Sequence, residues 1–295
     1  MNDYVIITES TADLPKRIID EYDIKILRMT YIMNGKLHEE KPTKTGAYIR
    51  SFYDNIRKGG KTYTSPVHYS KFIEFFSQFL EEGKDILYIG FSSSLSNTFK
   101  QVNLATNELS TLFPNRKIHI IDSKAASMGL GLLVYQAAKM RKDERDIEYV
   151  TNWVERNALR VCHWFTVDDL IYLNQGGRLS SSNLFFGKLL HIKPILSVDT
   201  KGRIKSASKA FGRYNSLNKL IKIAKESIVN PTEQTIFISH ADCMMDAEFV
   251  AEELKKELNV KDVKINYMGS IIGTHVGPGS IGIFYFGNER YFDYT

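Results

Sequence analysis

The stretch that most constrains this chain runs from Asp85 to Phe99: an apolar segment, Ile86-Leu87-Tyr88-Ile89-Gly90-Phe91, followed by Ser92-Ser93-Ser94-Leu95-Ser96-Asn97-Thr98-Phe99. The first part is short, apolar and bounded by polar residues, the pattern of a buried parallel strand. The hydroxyl and amide residues that follow stand where that strand ends and a helix begins. Such a corner offers backbone N–H groups and hydroxyls together at the positive end of a helix dipole, a natural anion site. Ser96 and its neighbours read either as the holder of a small anionic group, phosphate or carboxylate, or as an over-endowed helix cap.

The flanking segments repeat the strand-helix alternation. Tyr4 to Thr8 reads as a strand, Ser10 to Asp13 as caps, and Pro15 as the first turn of a helix reaching Tyr22. Ile24 to Tyr31 leads through the hairpin signal Asn34-Gly35 into Lys36-Leu37-His38, which predicts a small antiparallel flap. Helices are expected over Thr45–Arg57, over Tyr69–Leu80 with its stripe of Phe72, Phe75, Phe76 and Phe79, to about Leu112, and over Ser127–Met140, with a strand at Lys117–Ile121. This half is α/β, a doubly wound parallel sheet. Beyond Arg141–Arg145 the pattern loosens: a helix Asn152–Ala158, a strand Val161–Thr166, a short helix Asp168–Asn174 ended by Gly176-Gly177, and a helix capped by Ser180–Ser182. Strands at Ile195–Val198, Ile204–Ser208, Thr235–Ser239, Val263–Met268 and Ser280–Phe286, with helices at Asn215–Ser227 and Asp246–Leu258, describe an α+β unit. Two domains are expected, residues 1–156 and 157–295.

Composition excludes some partners. Lys and Arg are scattered among Asp and Glu and the net charge is only +5, which disfavours nucleic-acid binding. Two cysteines in apolar neighbourhoods, Cys162 and Cys243, argue for a reducing compartment, and the cytoplasm is the expected location. The first residues carry no basic, apolar leader pattern, and no apolar run approaches the ~20 residues that span a bilayer, so neither export nor stable membrane insertion is expected.

Several segments could carry chemistry. Gly59-Gly60-Lys61-Thr62 resembles the end of a nucleotide-binding loop, but Asn55 stands where that motif needs a glycine and no strand precedes it. Ser96 could act as a nucleophile with His275 and Asp168 as triad partners, although it lacks the glycine-flanked elbow. None of the seven histidines has zinc-ligand spacing to Cys, Asp or Glu, so no metal is expected. His275 lies in Gly273-Thr274-His275-Val276-Gly277-Pro278-Gly279, either a ligand-approaching turn or a locally satisfied turn histidine. Arg178, after Gly176-Gly177, is either a fork for an anion or partner or a solvated loop charge.

Five segments together resemble the DegV family of bacterial fatty-acid-binding proteins: Thr8 to Pro15, Ser92 to Phe99, Ile121-Asp122-Ser123, Phe165 through Pro194, and Gly273 to Gly279. The resemblance implies a Rossmann-like N-terminal domain and a C-terminal domain with one long-chain fatty acid enclosed between them. It places the carboxylate clamp on Thr64 and Ser96, with His275 as a further neighbour of the head group. A carboxylate only accepts hydrogen bonds, so hydroxyl donors suit it. Phe185, Phe186, Leu189, Leu190, Ile192 and Ile281 are expected tunnel walls, equally readable as core. The resemblance further implies no cofactor, no catalysis by the chain itself, and a partner: an ATP-dependent fatty acid kinase that makes the acyl phosphate, with Arg178 as a partner or phosphate contact. The rival reading is an acyl-ester or thioester hydrolase using Ser96. Three residues depart from the family pattern: Pro66 follows Thr64-Ser65 directly, Asn97 replaces a glycine after Ser96, and Glu9 replaces an aspartate. The first two are expected to change backbone freedom beside the head group, and the third its support.

Overall fold

A computed structural model describes residues 3–41, 46–179, 191–288 and 290. In chain order the first elements are β1 (Tyr4–Glu9), a 3-10 turn over Ser10–Ala12, α1 (Lys16–Glu21), β2 (Lys25–Leu27), β3 (Thr30–Met33), β4 (Lys36–Glu39), α2 (Gly46–Arg57), β5 (Thr62–Thr64) and α3 (Tyr69–Glu81). There follow β6 (Asp85–Gly90), α4 (Thr98–Leu112), β7 (Ile118–Asp122), α5 (Met128–Lys142) and α6 (Ile147–Asn157). The remainder is β8 (Val161–Thr166), α7 (Ile171–Gln175), β9 (Ile192–Val198), β10 (Ile204–Phe211), α8 (Arg213–Ser227), β11 (Thr235–His240), α9 (Met244–Leu258), β12 (Asp262–Tyr267), α10 (Ser270–Val276) and β13 (Ile281–Phe286).

β1 and β6 are buried at every position, as strands covered on both faces must be. They form the centre of a parallel sheet ordered β2-β1-β6-β7. Alternate residues serve opposite faces: Val5, Ile7, Ile86 and Tyr88 pack on α3 and α4, whereas Tyr4, Ile6, Leu87 and Ile89 pack toward α1, α5 and α6. The flap forms as expected at Asn34-Gly35, both with positive φ (50° and 77°), which two-residue hairpin turns require. It has a third strand that the sequence pattern did not show, β5, which pairs with β3 and sets Thr64 opposite Tyr31. β2 belongs to the parallel sheet and not to the flap.

The second sheet is mixed, ordered β10-β9-β8-β13-β11-β12, with only β11 and β12 parallel. Leu217 and Leu220 of α8 and Val250 and Leu254 of α9 cover one face against Ile236, Ile238, Ile281 and Ile283. The other face turns toward the first sheet, and α5 runs between the two. Its residues Met128 to Val134 are all buried. A Cβ on Gly131 of this helix would lie 2.6 Å from the Ala12 carbonyl oxygen, so glycine is what lets α5 lie against the 3-10 turn. α6 begins at Ile147, five residues before its expected start.

Late in the chain, Arg290 is buried and donates to the carbonyls of Val161 (2.7 Å), Lys124 (2.6 Å) and Ala158 (2.8 Å). It thereby ties the loop after β7 to the start of β8. The serine-capped helix expected from Ser180, and the start of the helix at Thr45, lie outside the described residues.

Candidate functional site

A cavity lies between the two sheets, with about 820 Å³ of space unoccupied by atoms, open solvent at its mouth included. Thr64, Ser96, Arg178 and His275, predicted from far-apart segments, all line it. The rest of its wall is largely apolar: Phe165, Val198 and Ile204 from the second sheet, and Ile271, Ile272 and Val276 from α10.

Each polar residue has an identifiable support. The Thr98 hydroxyl accepts the Val67 N–H at 3.3 Å and lies 2.9 Å from Ser96 Oγ, which also accepts the Thr98 N–H at 3.2 Å. Thr98 thus joins the loop after β5 to the loop after β6, and Thr64 and Ser96, which flank that junction, both line the cavity. Ser92 Oγ donates to the Gly202 carbonyl at 2.9 Å, and Ser94 Oγ to that of Lys201, so these serines fasten the corner to the β9-β10 turn. β6 does lead through this corner into α4, and of its serines only Ser96 lines the cavity.

His275 sits in the last turn of α10, its Nε2 2.7 Å from Thr64 Oγ1. Burial, aided by the nearby Arg178 charge, pushes its pKa down to about 4, so the imidazole is neutral near pH 7. Arg178 is half-buried, donates through Nε to the Leu95 carbonyl at 3.0 Å and through Nη1 to that of Gly176, and has its pKa lowered by burial. It is no solvated loop charge. The glycines around His275, which the sequence left open as a ligand-approaching turn or a local turn, are packed against neighbouring side chains. Gly273 is inside α10, where a Cβ would lie 2.6 Å from the Tyr53 hydroxyl, and Gly277 at φ 73° faces Tyr172. They let protein pack on protein.

The Ser96, His275 and Asp168 triad is not assembled. Ser96 Oγ bonds Thr98, His275 Nε2 bonds Thr64, and Asp168 pairs with Lys193 at 2.8 Å. Gly59-Gly60 links α2 to β5, a helix-to-strand turn that reverses the order of a nucleotide-binding loop. Among the described residues no cluster of His, Cys, Asp and Glu is placed to hold a metal ion, and no helix is long and apolar enough to cross a membrane.

The model of the family described as "Uncharacterised protein, DegV family" matches residues 3–288. The chain belongs to the DegV family. A DegV domain-containing protein of Clostridium perfringens is 41% identical to it over 290 residues, 98% of this chain and 99% of the relative. Among solved structures, a DegV lipid binding protein of Thermotoga maritima superposes with a TM-score of 0.85 at 27% identity, over 98% of this chain and 100% of that one. A DegV family protein of Thermus thermophilus, described for its fatty acid binding, gives 0.87 at 25% identity over 97% and 100%.

In this DegV protein Asn97, Pro66 and Glu9, the residues expected from the sequence to depart from the family pattern, each have a defined setting. Asn97 has φ −76° and an exposed side chain, so the glycine it replaces confers no backbone freedom that is used here. Pro66 is exposed at the cavity mouth. Glu9 is wholly buried and does not touch the clamp; its carboxylate accepts from the Tyr88 hydroxyl, the Phe91 N–H and the Thr11 hydroxyl, fixing two wall residues, Phe91 and Thr11. Burial raises its pKa against those hydrogen bonds.

The expected tunnel walls need correction. Ile281 is buried on the opposite face of β13 with Trp164 and Leu217, and Ile192 stands half-exposed at the start of β9, outside the lining. The inward register is instead His163 with Phe284 and Phe165 with Gly282, one residue out of phase with Ile281. Phe185, Phe186, Leu189 and Leu190 fall outside the described residues. Sequence reasoning missed the α10 wall altogether, because its glycines masked a helical period in Ile271, Ile272 and Val276.

Proposed function

We propose that this DegV protein holds one long-chain fatty acid in the cavity, its carboxylate at Thr64 and Ser96, and that it is a carrier and not a catalyst. The observation that carries this reading is a largely apolar cavity whose lining includes two hydroxyls, Thr64 and Ser96, each backed by a further polar side chain. In the tautomer that carries its proton on Nε2, the neutral His275 imidazole donates to Thr64 Oγ1 and leaves the Thr64 proton for the ligand. Thr98 serves Ser96 in the same way. Two hydroxyl donors then face a carboxylate that can only accept, and such charge-assisted bonds are about twice as strong as neutral ones. The tail gains ~0.8 kcal/mol for each buried CH₂. Fatty acid and lipid binding by the related structures supports the same ligand.

The carrier works with a partner in this reading, an ATP-dependent fatty acid kinase that phosphorylates the presented carboxylate, with Arg178 beside the site as a partner or phosphate contact. The cytoplasm is its place. Mass spectrometry of lipid extracted from the purified protein tests the ligand: one long-chain fatty acid per chain is expected. Recovery of none, together with no binding of added oleate or palmitate, overturns the proposal. The hydrolase reading predicts that Ser96→Ala keeps ligand and loses turnover, whereas the carrier loses affinity.

A further inference from the structure

α10 belongs by sequence to the second half of the chain, yet the first half grips it at both ends. At its N-terminal end the Asp13 carboxylate accepts the Gly269 N–H at 2.7 Å through Oδ1 and the Ser127 hydroxyl at 2.7 Å through Oδ2. The Asp13 carbonyl accepts from Asn266 at 2.7 Å, and Glu40 Oε1 accepts the Ile271 N–H at 3.3 Å. Asp13 and Glu40 are both buried. The Tyr53 hydroxyl donates to the Met268 carbonyl at 2.8 Å, and the Gly273 backbone rests on Phe52 and Tyr53. At the C-terminal end His275 meets Thr64. From the second half, the lead-in is held by the Met268 N–H to the His240 carbonyl at 2.8 Å, and the helix end abuts Gly176 and Tyr172 of the α7 region.

Two buried carboxylates at the N-terminal end of a short helix must offset their own desolvation, and the Gly269 and Ile271 amides contribute to that. That is a costly anchor for a helix of seven residues that ends on the head-group histidine. Ser127, which bonds Asp13, is held at φ 50° and ψ −142°, a conformation that an L-residue keeps only when its surroundings enforce it. The Thr8 to Pro15 segment and the lead-in to α10 at Asn266 and Gly269 thus meet through one aspartate.

We infer that Asp13 and Glu40 are positioning residues for the carboxylate site: by pinning α10 to the first sheet and the flap they set His275 against Thr64. His275 is then held toward Thr64 from the first half of the chain as well as from the second sheet. The inference rests on the proposed carboxylate site, and its test separates the two. Dissociation constants are measured for oleate and for oleyl alcohol with the delipidated protein and with Asp13→Asn, Glu40→Gln and Tyr53→Phe. Preference of the unaltered protein for oleate over the alcohol is the expectation of the carboxylate site; equal affinity sinks that site. Given the preference, each variant is expected to weaken oleate by ~10-fold while changing the alcohol less than ~2-fold, a displacement of His275 acting on the head group alone. Equal losses for both ligands, or an unchanged ratio in all three variants, overturn the positioning role. The imidazole resonances of His275, followed by NMR, are expected to shift in the variants that fold, and in Tyr53→Phe above all, since it deletes one hydroxyl without a charge.

Discussion

Thr64 and Ser96 each have a single hydroxyl proton, and the surroundings of each decide where that proton points. Replacing Thr64 by Val, or Ser96 by Ala, should lower fatty acid affinity roughly 10- to 100-fold, the worth of one bond to a charged acceptor, as read by fluorescent fatty acid displacement. The hydroxyls were legible in the sequence as donors, but their pairing depends on Thr98 reaching Val67, a contact 31 positions long. The histidines predict a pH dependence. Burial holds His275 and His240 at about 4, below the ordinary 6.5. The unfolded chain therefore takes up protons that the folded chain refuses as the pH falls from 6.5 toward 4. Stability is complete above that window and lost on descending through it. Urea melts across the range should show the loss, and His275→Gln should make it shallower.

At the level of elements, α5 shows how a helix can be fixed by what it lacks. In Gly131→Ala the new methyl would press on the Ala12 carbonyl, a backbone atom that cannot swing aside. A loss of about 1–3 kcal/mol in unfolding free energy, read as a lower denaturant midpoint, is expected, with fatty acid affinity falling as the 3-10 turn shifts. The long elements, β1, β6, α3 and α8, were readable because their apolar period persists for two or more turns or is unbroken through a strand. β5 was not: three residues between Gly59-Gly60 and Pro66 carry too little pattern. α10 was hidden for the opposite reason. Its glycines, placed for contact with Phe52, Tyr53 and Tyr172, look in sequence like turn residues. Both missed elements carry site residues, which explains why the site's chemistry was clearer from sequence than its scaffold.

For the molecule as a whole, the cavity couples occupancy to stability. A ligand that binds only the folded chain stabilises it by roughly 2.7 kcal/mol at 100 times its dissociation constant, so delipidated protein should melt several degrees lower than protein reloaded with oleate. The parallel first sheet was legible from the alternation of strands and helices, the second sheet only as part of an α+β unit. The register that turns Phe165 and Phe284 inward and Ile281 outward was not, since a single-residue phase decides it and both phases are apolar. Arg290 has a consequence for the order in which the chain acquires its structure. It follows every strand of the described residues, yet it fastens the loop that bears Lys124 to the start of β8. On a ribosome, where the chain emerges from its first residue onward, the parallel sheet and the Ser92 hold on this loop can form early, but the Arg290 tie is added only after β13 has been made.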